Sequence, residues 1–120
     1  MAKDATILIA DDSAFMRKIL RDILEGDGFT NITECEDGKQ CLDTYNEKNP
    51  DLVLVDMIMP VMDGMTFIKE SNGAAKVIVV SAVGQESMME EAKGLGVIGY
   101  ITKPFEKNLV IETVNKALGE

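Results

Sequence analysis

Apolar and polar residues change period along this chain in a regular alternation. Thr6 to Ala10 (TILIA) is a short, nearly continuous apolar run, the pattern of a strand buried on both faces. From Ser13 to Glu25 the period lengthens. Phe15, Ile19 and Ile23, with Met16, Leu20 and Leu24, form one apolar stripe, and Arg17, Lys18, Arg21, Asp22 and Glu25 lie mostly off it. That spacing predicts an amphipathic helix, and Gly26 and Gly28 suit its C-terminal stop.

The alternation continues to the end. Ile32 to Glu36 reads as a weaker strand with polar interruptions, as at a sheet edge. Asp37-Gly38 turns into a helix ending near Lys48, which Asn49-Pro50-Asp51 breaks. Leu52 to Val55 is a fully apolar strand that ends at Asp56. A helix over about Gly64 to Glu70 follows a loop. Val77 to Val80 is a further apolar strand, ending at Ser81. Gln85 to Gly94 is predicted helical, Tyr100 to Thr102 a short strand, and Lys107 to Leu118 the last helix.

Five strands alternating with five helices predict an α/β fold: a parallel sheet, doubly wound, with helices on both faces. The apolar first, third and fourth strands belong in the centre and the weaker second and fifth at the edges. The order 2-1-3-4-5 with right-handed crossovers satisfies this. At 120 residues, a single domain over 1–120 is the expectation, with no repeat, linker or fused output segment within it.

Charge narrows the function. The net charge is −9 and the pI about 4.5, so nucleic acid and anionic membrane surfaces are not expected partners. Histidine is absent, which excludes imidazole ligands, imidazole bases and Ser-His-Asp triads. Cys35 and Cys41 form no CxxC motif and read as reduced thiols of a cytoplasmic protein. Met1 to Ala5 lacks the apolar core of a signal peptide, and no apolar run has the length of a membrane span.

In this architecture ligands bind beyond the carboxyl ends of the strands, at the switch point between strands one and three. Asp11 and Asp12 follow strand one, Asp56 ends strand three, Ser81 ends strand four and Lys103 follows strand five. Three carboxylates so gathered repel, and a hard cation with oxygen ligands, Mg²⁺ or Mn²⁺, resolves the conflict. With that cation and Lys103 the formal charges sum to zero. Carboxylates also serve as phosphoryl acceptors, and Lys103, Ser81, loop N–H groups and the metal would hold a phosphoryl group on Asp56.

Asp11-Asp12, the stretch Asp56-Met57-Ile58-Met59-Pro60-Val61-Met62-Asp63-Gly64, Ser81-Ala82 and Lys103-Pro104-Phe105 resemble the signature set of response-regulator receiver domains. The resemblance covers essentially the whole chain and is nearest in style to the stand-alone chemotaxis regulators. Ser13-Ala14-Phe15-Met16-Arg17 is similar to archaeal and deep-branching bacterial forms. It implies a flavodoxin-like fold and a phosphorylation-activated switch, not an enzyme acting on external substrates. Asp56 would accept the phosphoryl group from a CheA-like histidine kinase. Asp11, Asp12, Asp56 and the backbone carbonyl of Ile58 would bind Mg²⁺. Lys103 would contact the phosphoryl oxygens, with a cis Lys103-Pro104 bond, and Ser81 and Tyr100 would be the switch pair. The face of helix 4, strand 5 and helix 5 would engage a motor switch protein or adaptor, with a phosphatase as a further partner and a monomer as the working state.

Ile58 and Val83 are apolar where the best-known bacterial pattern often carries polar groups, so slower autodephosphorylation is expected. The segment from Ser71 to Lys76 is short, so helix 3 is expected to end early, near Asn72-Gly73. Simpler readings stay open: Asp11-Asp12 as an acidic pair at a helix N-terminus, Ser81 as a strand-end hydroxyl, Tyr100 as edge packing. The methionines Met57, Met59, Met62 and Met65, with Met88 and Met89, read as gap-fillers or as a partner surface. Gly94-Leu95-Gly96-Val97-Ile98-Gly99 matches G-x-G-x-x-G, but after a helix and before a strand, the wrong context for a dinucleotide site. Other receivers, in another two-component pathway, a phosphorelay or a phosphate sink, and a Mg²⁺-dependent phosphohydrolase are the alternative functions.

Overall fold

The computed structural model describes residues 2–57, 59, 61–71, 76–81, 86–95 and 97–119. Its strands are β1 (Thr6–Ala10), β2 (Asn31–Cys35), β3 (Leu52–Asp56), β4 (Val77–Ser81) and β5 (Gly99–Thr102). They form one parallel sheet in the order β2-β1-β3-β4-β5. Between and after them run α1 (Ala14–Gly26), α2 (Gly38–Lys48), α3 (Gly64–Glu70), α4 (Glu86–Lys93) and α5 (Lys107–Ala117). A short 3₁₀ turn over Ala2–Asp4, absent from the sequence reading, precedes β1.

Alternation along the strands divides the core in two. Ile7, Ile9, Leu52 and Leu54 face α1 and α5, where Leu20, Leu24, Val110 and Val114 meet them. Leu8, Val53, Val55 and Val79 face the other way, against Cys41 of α2, Phe67 and Ile68 of α3 and Ala92 of α4. A fully buried Val, Leu or Ile contributes about 1.5–3 kcal/mol. Together these layers can offset the cost of gathering like charges at the rim. β1, β3 and β4 are buried almost throughout, whereas β2 is half-exposed, as an edge strand should be. No helix among the described residues is long and apolar enough to cross a membrane.

The helix starts carry their own capping chemistry. Ser13, Asp37 and Asp63 are N-caps whose side chains accept the N–H groups of Met16, Gln40 and Thr66. Gln40 reaches back to the N–H of Glu36, closing a reciprocal cap. α3 ends at Glu70 with Ser71 as its C-cap, so the early end expected from sequence is present, while Asn72 and Gly73 lie outside the described residues.

Two readings of α1 change. Phe15, assigned to the apolar stripe, is 70% exposed, while Arg17, assigned to the polar face, is 9% exposed. The inward line is Arg17, Leu20 and Leu24. The first turn of α1 starts beyond the end of β1, so an apolar side chain there has no sheet beneath it. Arg17 is buried because Glu34 on β2 and a main-chain carbonyl satisfy its guanidinium. Cys35 and Cys41 are both buried and free. A hydrogen bond with Cys35, followed by burial, pushes the Cys41 thiol up, which keeps it protonated and inert. Met57, Met59 and Met65 are buried, in line with gap-filling, and the side chains of Met88 and Met89 lie outside the described set. The Gly94-to-Gly99 stretch follows α4 and leads into β5, with Gly96 outside the described residues.

Candidate functional site at the carboxyl rim

Parallel pairing brings the site together. β1 and β3 run side by side in register from Ile7–Leu52 to Ala10–Val55, so the residues after Ala10 and Val55 emerge next to each other. Asp11 follows β1 and is 1% exposed, Asp56 ends β3 and is 5% exposed, and Asp12 is exposed. One carboxylate oxygen from each of Asp11, Asp12 and Asp56 lies within 4.8 Å of the other two.

Lys103 enters from the end of β5. Its ammonium donates to Asp56 Oδ2 at 2.8 Å and lies 3.2 Å from Asp11 Oδ2. Burial pulls the Lys103 ammonium down, but the hydrogen bond and charge of Asp56, with help from Asp11, outweigh it and hold the group above its ordinary value. The Lys103–Pro104 peptide is cis, as the resemblance implied. The Lys103 N–H donates to the Ser81 carbonyl at 2.8 Å, tying the lysine loop to the end of β4.

Asp11 is oriented rather than merely present. Its Oδ1 accepts the N–H of Ser13 at 2.9 Å. Its Oδ2 is buried and accepts no hydrogen bond of good geometry, although Lys103 is at ion-pair distance. Burial raises the Asp11 carboxyl, the Ser13 N–H lowers it, and the charge of Asp56 raises it further, so the net direction is upward. A buried carboxylate oxygen with spare acceptor capacity, beside two further carboxylates, fits a hard divalent cation. The donors are all oxygen, which suits Mg²⁺ or Mn²⁺ and not a thiolate-preferring metal. The Ile58 carbonyl, assigned to the same cation, and Val83 both lie outside the described residues.

Ser81 is fully buried at the end of β4, opposite Thr102 of β5. Tyr100 pairs with Val79 and packs against the core layer that contains Val79 and Phe67. Its hydroxyl is buried without a hydrogen-bond partner among the described residues. A phenol held this way carries a cost of about 1–3 kcal/mol, which a rotation or a newly reached acceptor would relieve.

Two glycines seat the loop after Asp56. A Cβ on Gly64 would lie 2.3 Å from the Asp56 carbonyl oxygen, and one on Gly38 would lie 1.8 Å from the Met62 carbonyl oxygen. The loop therefore packs by its main chain onto the start of α2. Sequence reasoning treated Gly38 only as part of a turn. It also missed Arg17 and Glu34, for which the available signal was two arginines one helical turn apart and an acidic residue on a predicted edge strand.

Known proteins resemble this chain over most of its length. The sequence model of the response regulator receiver domain matches residues 7–115. A chemotaxis protein CheY of Bacillus subtilis (strain 168) is 45% identical over 115 residues, spanning 93% of this chain and 96% of that protein. A chemotaxis protein CheY of Halobacterium salinarum is 42% identical over 121 aligned positions, spanning 98% of each. Among solved structures, the REC domain of AraT, a response regulator from Geobacillus stearothermophilus, superposes with a TM-score of 0.86 at 30% identity, over 95% of this chain and 92% of that one.

Proposed function

The chain belongs to the response-regulator receiver family, and from that premise we propose that it is a phosphorylation-activated switch whose acceptor is Asp56. The observation that carries this is the meeting of Asp11, Asp12, Asp56 and Lys103 from three separate strand ends at one rim. No local folding requirement asks for three carboxylates together, because their repulsion is a cost the core must offset. The whole chain, 1–120, is read as one receiver domain.

In the proposed reaction Asp56 attacks the phosphorus of a phosphohistidine on a histidine kinase. A P–O bond forms to the carboxylate, the P–N bond breaks, and the imidazole leaves with the bonding electron pair and takes up a proton. Asp11 and Asp12, with Asp56 and the Ile58 carbonyl, would hold Mg²⁺. That ion supplies charge neutralisation for the phosphoryl oxygens. Lys103 is already hydrogen-bonded to Asp56, so its charge stands beside the carboxylate before a phosphoryl group arrives. Ser81 would donate its hydroxyl to a phosphoryl oxygen, and Tyr100, with its unsatisfied hydroxyl, would shift with it. The altered face is that of α4, β5 and α5, offered to a motor switch protein or adaptor in chemotaxis, in the cytoplasm. The apolar identities of Ile58 and Val83 in the sequence would offer an attacking water no polar guide, so a long phosphoryl lifetime belongs to the same proposal, as does help from a separate phosphatase.

The test is direct. Incubation with labelled acetyl phosphate and Mg²⁺ should label the protein, and Asp56→Asn should abolish the label. Label that survives either the substitution or chelation of the metal would overturn the assignment.

A further inference from the structure

Arg17 is a buried cation beneath the acidic loop, and its guanidinium is divided between two partners. Nη1 donates to the main-chain carbonyl of Asp11, and Nε donates to Glu34 Oε1 at 3.0 Å. Arg21, one turn later, donates to the other oxygen of Glu34 at 2.6 Å and to the Ile32 carbonyl at 3.0 Å. A single carboxylate on β2 thus locks two guanidiniums of α1. Burial would raise the Glu34 carboxyl, but the hydrogen bonds from Arg21 and Arg17 prevail and hold it below its ordinary value. The bridge is therefore ionised at neutral pH.

The consequence falls on Asp11. Its N–H donates to the Cys35 carbonyl of β2 at 3.1 Å, and its carbonyl receives Arg17. Both main-chain groups of this residue are held, and its Oδ1 is held by Ser13. With these three ties made, Oδ2 faces Lys103 and the cluster. Without the Arg17 tie, repulsion among Asp11, Asp12 and Asp56 would splay the loop, and a cation would have to reassemble it.

We infer that Arg17 is a positioning residue for the cation site: its guanidinium, held by Glu34, fixes the Asp11 main chain so that the carboxylates converge before the ion arrives. This rests on the reading of Asp11, Asp12 and Asp56 as a Mg²⁺ site. Two effects oppose each other and give the inference a sign. By charge alone, removing a cation near a Mg²⁺ site tightens Mg²⁺ binding. By positioning, it weakens binding, and supports of this kind are typically worth 10–100-fold in metal affinity.

The experiment is a calorimetric titration of the full chain with Mg²⁺ alone, for wild type, Arg17→Met, Arg17→Lys and Arg21→Met. Arg17→Met should bind about tenfold more weakly. Arg21→Met, which strips the same Glu34 but leaves the Asp11 carbonyl tied, should stay within about twofold. Arg17→Lys should fall between, because one ammonium lacks the fork that spans both partners. Amide exchange supplies a second readout: protection of the Asp11 N–H should fall in Arg17→Met and persist in Arg21→Met. Unchanged or tighter binding by folded Arg17→Met would overturn the inference, as would equal weakening by Arg21→Met. Should Arg17→Met not fold, Arg17→Lys decides, and wild-type affinity in that variant would overturn it. Wild type that binds no Mg²⁺ would remove the metal reading itself, a different failure from Arg17→Met matching a wild type that binds.

Discussion

Lys103 Nζ donates to Asp56 Oδ2 at 2.8 Å, joining the end of β5 to the end of β3 across 47 positions of sequence. The pair is the cation and nucleophile of the proposed phosphoryl transfer. Lys103→Met removes the donor aimed at the reacting carboxylate and leaves that carboxylate to its acidic neighbours. Loss of one such donor costs about 10²-fold in rate. Labelling of Lys103→Met by acetyl phosphate in saturating Mg²⁺ should be slower by that order. A rate within threefold of wild type would show that the ammonium is dispensable.

The Glu34 bridge should leave a pH signature. Hydrogen bonds to Arg21 and Arg17 hold the folded carboxyl below its ordinary 4.5 against the opposing effect of burial. A carboxyl depressed in the folded state stabilises above its unfolded value and loses that contribution as pH falls through the folded one. Glu34→Gln should therefore cost about 1.5–2 kcal/mol at pH 7, the lower part of the range for hydrogen bonds to charged groups, because the Glu34 side chain is partly exposed. Urea melts of wild type and variant should converge on acidification below the ordinary carboxylate value. A gap that stays constant into acid would contradict the ionic account.

Glycine substitutions should separate by the room each has. At Gly64 and Gly38 the added carbon meets main-chain oxygens of Asp56 and Met62, which cannot rotate away. Gly64→Ala and Gly38→Ala should each lose about 3 kcal/mol, the upper part of the range for overpacking. Gly26, the last residue of α1, has nothing within 4 Å of the added carbon. Gly26→Ala should gain about 0.5 kcal/mol from helix propensity. Equal responses at all three positions in chemical denaturation would refute the steric argument.

Val61 adopts φ 66° in the loop after Asp56, with 79% of its surface exposed. A β-branched residue there pays about 1–2 kcal/mol for the left-handed conformation, and exposure returns little burial in exchange. Val61→Asn, which tolerates that conformation, should raise the unfolding midpoint, with a gain of about 1 kcal/mol. A destabilised Val61→Asn would mean that the valine side chain makes a contribution its exposure hides.

The wiring around Arg17 marks where local reading stops. Strands, helices and their order follow from period: TILIA, LVLV and VIVV announce buried strands wherever they sit, and the stripe of Ile19, Leu20, Ile23 and Leu24 announces a helix. The topology then brings Asp11, Asp56, Ser81 and Lys103 to one rim with no knowledge of any side-chain angle. Phe15 and Arg17 depart from the stripe because periodicity records only what a helix could bury, and the end of β1 decides where the cover stops.

The α/β architecture, the sheet order and the identity of the acidic and basic groups at the rim are legible in the residues alone, because these depend on short-range periodicity and on which residue ends each strand. Contacts made on folding set the rest: Arg17 turns inward to grip Asp11, Glu34 holds it there, Gly38 seats the loop after Asp56 through Met62, and Phe15 stays in solvent. Those outcomes depend on contacts between distant segments, and the free energy of such a contact is set by the partner, not by the residue or its neighbours in the chain.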